Sequence, residues 1–379
     1  MANSLQTLHA SGQSIWLDYI DRTMLHNGEL ASRSSRDALT GMTSNPTIFE
    51  KALAQGTAYD SQLTATAGDK TAWELFELVE TDDVRTACDI FRPVYDAAKG
   101  RDGFISIEVS PGSAHDSAAT IEEAHRLWKS VARPNVMIKV PGTPEGAVAV
   151  RRLIADGINV NITLLFSIDA HRRVIEAYLA GLEDRVKAGE SVESVSSVAS
   201  FFVSRVDTEV DKRLDSLVKA GTCDANHADM LRGKAAIANA KLAYRLFRES
   251  FSGPRWDALA AKGAQLQRPL WASTSTKNPA YRDVLYVEQL IGPDTVNTMP
   301  PATLEAFRDH GVVAATVTAD LDGAERVISD LAATGIPLAG VTDQLLTEGL
   351  ASFQKSFDTL IVGLEAKAKL LGRSLAASR

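Results

Sequence analysis

Cysteine is scarce: the 379-residue chain has two, Cys88 and Cys223, far apart in helix-like contexts. That excludes a disulfide framework and leaves both expected to be free, buried thiols. Histidine is almost as sparse. None of the seven falls at a paired metal-ligand spacing, so no metal is expected. Positive charge is also short, with 40 Lys and Arg against 48 Asp and Glu, a net charge of −8 and no basic tract. Such a balance repels phosphate backbones and excludes nucleic acid as a partner, while leaving room for a small phosphorylated ligand held by two or three local cations. No stretch approaches the roughly 18 uninterrupted apolar residues of a membrane span. The first residues, MANSLQTLHASGQ, have neither the basic nor the apolar region of a secretion signal, so a soluble, cytoplasmic protein without membrane association is expected. Finally, no glycine-rich G-x-G-x-x-G or P-loop turn follows any strand, which disfavours a doubly wound open sheet.

What is present is a two-faced pattern. Residues 135–167 read as strand, helix, strand with Lys139 in the middle of the first strand. Val136, Ile138 and Val140 share one face, Met137 and Lys139 the other. The second strand places Ile158, Val160, Ile162 and Leu164 opposite Asn159, Asn161 and Thr163. The helix-patterned PEGAVAVRRLIADG between them has the length of a parallel crossover. Parallel strands are normally buried on both faces, and an unpaired buried ammonium is costly, so Lys139 must face partners, water or a substrate.

Six further segments carry strand patterns. SIWLDYID holds Trp16 and Asp18 on one face, and LTGMTSNPTIF holds Gly41, Thr43 and Asn45 on one face before Pro46 ends it. In GFISIEVSP, Ile105, Ile107 and Val109 oppose Ser106, Glu108 and Ser110. VSSVASFFVSRVD has Ser200, Phe202 and Ser204 on one face and Arg205 at its C-terminal end. RPLWASTSTKNP and DTVNTMP complete eight strands alternating with helices. The leading architecture is therefore a (β/α)8 TIM barrel, a single domain over 1–379 with helical insertions near 47–101 and 206–262 and C-terminal helices in 321–372. Two or three helices are expected in 206–262.

In such a barrel, polar groups at the C-terminal strand ends surround one cavity. Asp18, Thr43, Asn45, Glu108, Lys139, Asn161, Thr163, Ser200, Arg205 and Lys277 all fall near such ends. A strand lysine is more often a paired structural cation than a nucleophile. Two carboxylates and a set of amides on the same lining shift that weighing, because an enclosed apolar site favours the uncharged amine that can form a Schiff base with a ketone. Glu108 and Asp18 could then carry protons, or either could merely neutralise Lys139. The STSTKN stretch, with Ser275 and Lys277, offers hydroxyls and a cation where barrels commonly hold phosphate, and Arg205 adds a second cation. Phe202 and Trp271 are expected to be packing residues.

With these residues laid out, the chain resembles the transaldolase family in TSNPTIF at 43–49, IKVPGTPEG at 138–146, GINVNITLLFS at 157–167 and ASFFVSRVD at 199–207. The resemblance covers nearly the whole chain and looks like the longer bacterial branch. It implies a (β/α)8 enzyme of the pentose phosphate pathway that uses neither cofactor nor metal. Such an enzyme moves a dihydroxyacetone unit from fructose 6-phosphate or sedoheptulose 7-phosphate to erythrose 4-phosphate or glyceraldehyde 3-phosphate. By the same resemblance Lys139 is the Schiff-base lysine, and Glu108 works through a water also held by Thr163. Asp18 takes the substrate hydroxyl proton, and Asn45 and Asn161 hold substrate hydroxyls and the retained enamine. Thr43, Ser200 and Phe202 line the pocket, and Arg205 binds phosphate. One departure is that STSTKN, with Lys277, stands where the family has an arginine in S-F-R-N. The rival readings are a Schiff-base aldolase releasing free dihydroxyacetone and a catalytically silent sugar-phosphate-binding barrel. Monomer and homodimer both remain open.

Overall fold

A computed structural model describes residues 2–54, 56–68 and 70–376. Eight parallel strands close into one barrel in chain order. They are β1 (Gln13–Asp18), β2 (Leu39–Thr43), β3 (Ile105–Glu108), β4 (Val136–Pro141), β5 (Val160–Leu165), β6 (Ser197–Phe202), β7 (Gln267–Ala272) and β8 (Thr295–Met299). The first strand pairs with the last, Ile15 opposite Asn297, so no edge is left open. Each expected strand is present, and the fold is the expected (β/α)8 barrel with additional helices.

Almost every strand residue is buried, polar ones included. The alternation therefore separates a face packed on the surrounding helices from a face pointing into the barrel. Local chemistry sets the strand-to-helix turns. After β4, Thr143 Oγ1 accepts from Gly146 N at 2.9 Å and Pro144 occupies the first helical position of Pro144–Ala155. After β5, Ser167 caps Ile168–Lys187 in the same way.

Several details differ from the sequence expectation. Arg205 is not at the end of a strand: β6 stops at Phe202, and Arg205 sits in the first turn of the helix Ser204–Lys219. The 206–262 region contains four helices rather than two or three, ending at Lys219, Leu231, Ser250 and Ala260. Short linkers containing Gly221, Gly233 and Gly253, each with positive φ, divide them. The segment before β2 is two short helices, Arg22–His26 and Glu29–Arg36, broken at Asn27 and Gly28. Cys88 is buried in the helix Ala72–Ala97 and free, but Cys223 is only half-buried and lies between helices. The last helix is longer than its apolar pattern indicated, running Leu338–Leu370 from the cap Pro337. It lies against Pro46–Ala54, with Thr47 Oγ1 2.8 Å from Ser356 Oγ, and Trp73 meets Phe357 at a tilt with ring centroids 4.9 Å apart.

Beneath the site, Gly41 solves a packing problem. The Trp16 indole crosses β2 to donate from Nε1 to Asp102 at 2.9 Å, and a Cβ on Gly41 would lie 2.6 Å from both that nitrogen and the Phe104 carbonyl oxygen. Both partners are held, one by a buried carboxylate and one by backbone. Gly41→Ala should therefore cost about 1–3 kcal/mol as overpacking, read as a lowered urea midpoint; an unchanged midpoint would contradict this account.

Candidate active site

At the C-terminal ends of the strands the barrel opens into a cavity of about 310 Å³. Lys139, delivered by β4, lies at its floor and is only 5 % exposed. Its Nζ donates to the Ser44 carbonyl at 3.0 Å and to Glu108 Oε2 at 3.3 Å. The register Glu108↔Lys139 between β3 and β4 makes that pair. Register also sets Lys139 beside Asn161 on β5.

Asp18 closes β1 and is linked to its neighbour strands through hydroxyls. Thr43 Oγ1 donates to Asp18 Oδ1 at 2.7 Å and lies 2.6 Å from Thr298 Oγ1 on β8. Burial pushes the Asp18 carboxyl up, opposed first by the positive charge of Lys139, then by Thr43 and by the charges of Arg205 and Lys277. Glu108 behaves alike: burial raises it, Lys139 opposes, and the charge of Asp18 adds to the rise. Two desolvated carboxylates, one buried and one half-buried, thus lean on one ammonium.

The opposite wall holds cations. Arg205 reaches in from its helix with its guanidinium carbon 5.3 Å from the Phe202 ring centroid. Lys277 donates to Ser275 Oγ at 2.8 Å. Burial lowers the proton affinity of both, and the charge of Arg205 further lowers that of Lys277. Neither makes an ion pair among the described residues, so both charges are free for an anion.

Of the twelve residues expected from sequence, ten line this cavity: Asp18, Thr43, Asn45, Lys139, Thr163, Ser200, Phe202, Arg205, Ser275 and Lys277. Glu108 touches it through Lys139 and faces a second, narrow cavity behind β3. Asn161 is one layer deeper, accepting from Ser200 Oγ at 2.6 Å and donating to Ser106 Oγ at 2.9 Å. Thr163 Oγ1 is buried with no hydrogen-bond partner among the described residues. Trp271 packs as expected, fully buried with its indole N–H on the Leu290 carbonyl. Among the described residues no group of three or more His, Cys, Asp or Glu could hold a metal ion, and no helix is long and apolar enough to cross a membrane.

The family model for transaldolase/fructose-6-phosphate aldolase matches residues 15–363. The chain belongs to the transaldolase family. Relatives named transaldolase include one from Trichodesmium erythraeum, 46 % identical over 98 % of this chain and 99 % of its own. Others come from Parafrankia sp., 48 % identical over 95 % and 97 %, and from Mycolicibacterium smegmatis, 47 % identical over 94 % and 95 %.

Sequence reasoning missed five residues of this transaldolase-family site. Thr298 was findable, since it alternates with Asn297 in DTVNTMP. Ser44 lies where the strand pattern ran on to Asn45 whereas β2 ends at Thr43, and Thr47 and Lys51 fall on the helix that starts at Pro46, where spacing gave no sign that they face the cavity. Phe353 had no signal, because it comes from the last helix across the barrel mouth.

The cavity behind Glu108 is walled by Glu77, Glu80 and Glu123 amid Trp73, Phe76 and Phe357. Glu123 accepts from Ser110 Oγ at 2.7 Å and Glu77 is paired with Arg126. Glu80, 6 % exposed, has no hydrogen bond or ion pair among the described residues. Burial first, then the charges of Glu108, Glu123, Glu77 and Asp83, push its carboxyl well above the usual range. The folded protein therefore holds a proton there that the unfolded chain releases near its ordinary carboxyl value. Stability contributed by this group is full below that value and falls as pH rises toward the folded one, by up to about 1.4 kcal/mol per pH unit. Glu80→Gln removes the penalty, so its urea midpoint should gain on the parent between pH 5 and pH 8; parallel profiles would refute it.

Proposed function

We propose that this chain is a transaldolase that carries a dihydroxyacetone unit on Lys139 and hands it from fructose 6-phosphate or sedoheptulose 7-phosphate to erythrose 4-phosphate or glyceraldehyde 3-phosphate. The observation that carries this reading is a nearly buried lysine placed between a carboxylate and the floor of a cavity whose far wall holds two unpaired cations. The cations suit a phosphate and the lysine suits a ketone.

Glu108, 3.3 Å from Nζ, is within reach of the proton that the ammonium must shed. Once the nitrogen is neutral, the charge that holds the Glu108 carboxyl down is gone and burial favours its protonated form. The amine then adds to the ketose C2. Glu108 returns the proton to the departing hydroxyl, water leaves, and an iminium forms on Lys139. Cleavage of C3–C4 sends the bonding electrons toward the iminium nitrogen, while Asp18 accepts the C4 hydroxyl proton and the aldose phosphate departs. The nitrogen loses its positive charge in that step, so Asp18 gains proton affinity as it takes the proton. The enamine attacks the acceptor aldehyde, Asp18 gives the proton back, and hydrolysis frees Lys139.

In this reading Arg205, Lys277 and Ser275 hold the phosphate, with lysine supplying charge but not arginine's bidentate fork. Asn45 and Thr163 face the sugar carbons, and Asn161 orients Ser200 from below. The chain acts as one domain in the cytoplasm, where thiols stay reduced. A monomer and a homodimer are both compatible with this reading.

Incubation with fructose 6-phosphate followed by borohydride should add a dihydroxyacetone-derived mass to the peptide carrying Lys139, and Lys139→Met should abolish both adduct and turnover. An adduct elsewhere would refute the assignment. Glu108→Gln should lower kcat by about 100- to 10,000-fold. Product analysis separates transfer from aldol release: free dihydroxyacetone as the main product would favour the aldolase.

A further inference from the structure

Three lysine or arginine side chains line the mouth of the cavity around Lys139, and the phosphate reading uses only two of them, Arg205 and Lys277. The third is Lys51. It stands on the helix Pro46–Ala54, exposed, with no hydrogen bond or ion pair among the described residues. On a helix a lysine is ordinarily compensated by an acid three or four residues away. Within the helix those positions are Thr47, Ile48 and Ala54, none of them acidic, and the adjacent Glu50 does not share its face. The charge is left uncompensated at the cavity.

Its location is set by topology. The helix carrying Lys51 follows β2, and the helix carrying Arg205 follows β6, four strands further round a closed eight-stranded barrel. Lys51 therefore stands across the mouth from Arg205. Thr47 of the same helix is tied to Ser356 of the last helix, which fixes the segment that presents the cation.

We propose that Lys51 is a capture residue for the substrate phosphate, holding the dianion of an arriving or departing sugar phosphate at the mouth, opposite the subsite of Arg205 and Lys277. The proposal rests on the sugar-phosphate reading above. Each turnover admits a ketose phosphate, passes an aldose phosphate out and another in while Lys139 keeps the three-carbon unit, and releases a new ketose phosphate, so a dianion crosses the mouth four times per cycle. A cation focused at a cleft raises the local anion concentration and the capture rate, and salt weakens it. Lys51 selects phosphorylated over neutral sugars without reaching the reacting atoms.

The test compares Lys51→Ala, Lys51→Glu and Lys51→Arg with the parent enzyme, using fructose 6-phosphate and unphosphorylated fructose as donors with one aldose phosphate acceptor held saturating. At low salt, kcat/KM for fructose 6-phosphate should fall about 10-fold in Lys51→Ala and further in Lys51→Glu, a size within the range of electrostatic focusing. kcat should stay within about twofold, kcat/KM for fructose should be unchanged, and Lys51→Arg should match the parent. The loss should shrink in about 1 M salt, where the screening length is about 3 Å. A parent-like kcat/KM in Lys51→Glu, an equal loss on fructose, or an Arg variant as impaired as Ala would overturn the role of Lys51. A parent enzyme that fails to turn over fructose 6-phosphate would overturn the sugar-phosphate reading instead.

Discussion

The ammonium of Lys139 is the charge on which the rest of the site depends. Glu108 is buried and Asp18 half-buried, and for each the largest influence opposing its desolvation is that one lysine. Removing the charge, by deprotonation or by electron flow into an iminium, raises the proton affinity of both carboxyls. Proton affinity at two positions is thereby slaved to the electronic state of a single nitrogen. No moving part is required, because the coupling is Coulombic.

A barrel suits this arrangement because adjacent parallel strands bring the ends of distant segments together in fixed register. Glu108 opposite Lys139, Lys139 opposite Asn161, and Asp18 opposite Thr43 are all register neighbours. Beneath them, Ser106, Asn161 and Ser200 form a hydrogen-bonded row across β3, β5 and β6. Polar groups pointing into the barrel would be costly unless satisfied. Here they satisfy one another, and the row stiffens the floor on which Lys139 stands. The carboxylates behind Glu108 show the opposite case, where Glu80 has no side-chain partner among the described residues and its carboxyl is pushed well above the usual range.

The strands and the cavity floor were legible in the sequence because period-two alternation survives when both faces are buried, provided one face packs on helices and the other points inward. Lys139, Glu108, Asp18 and Thr163 were found that way. Arg205 was found but misplaced: ASFFVSRVD alternates smoothly past Phe202, and only the backbone turn at Val203 converts it into a helix start. Lys51 was passed over for a different reason: the residues after Pro46 were read as helix, as they are, and helical spacing does not show which side chain reaches the barrel mouth. Phe353 marks the limit of local reading. Its place in the wall is set by how a distant helix crosses the barrel, and residue spacing within that helix is silent about the destination.

That crossing also bears on the order of biosynthesis. The helix Leu338–Leu370 supplies Phe353 to the cavity and braces the segment that follows β2. At Gly349 it passes so close to β5 that an added Cβ would stand 3.0 Å from Leu164. All eight strands leave the ribosome before it does. A nascent chain can thus close its barrel and set Lys139 in place while the mouth is still unwalled, and a reactive amine is sheltered only when the final helix docks.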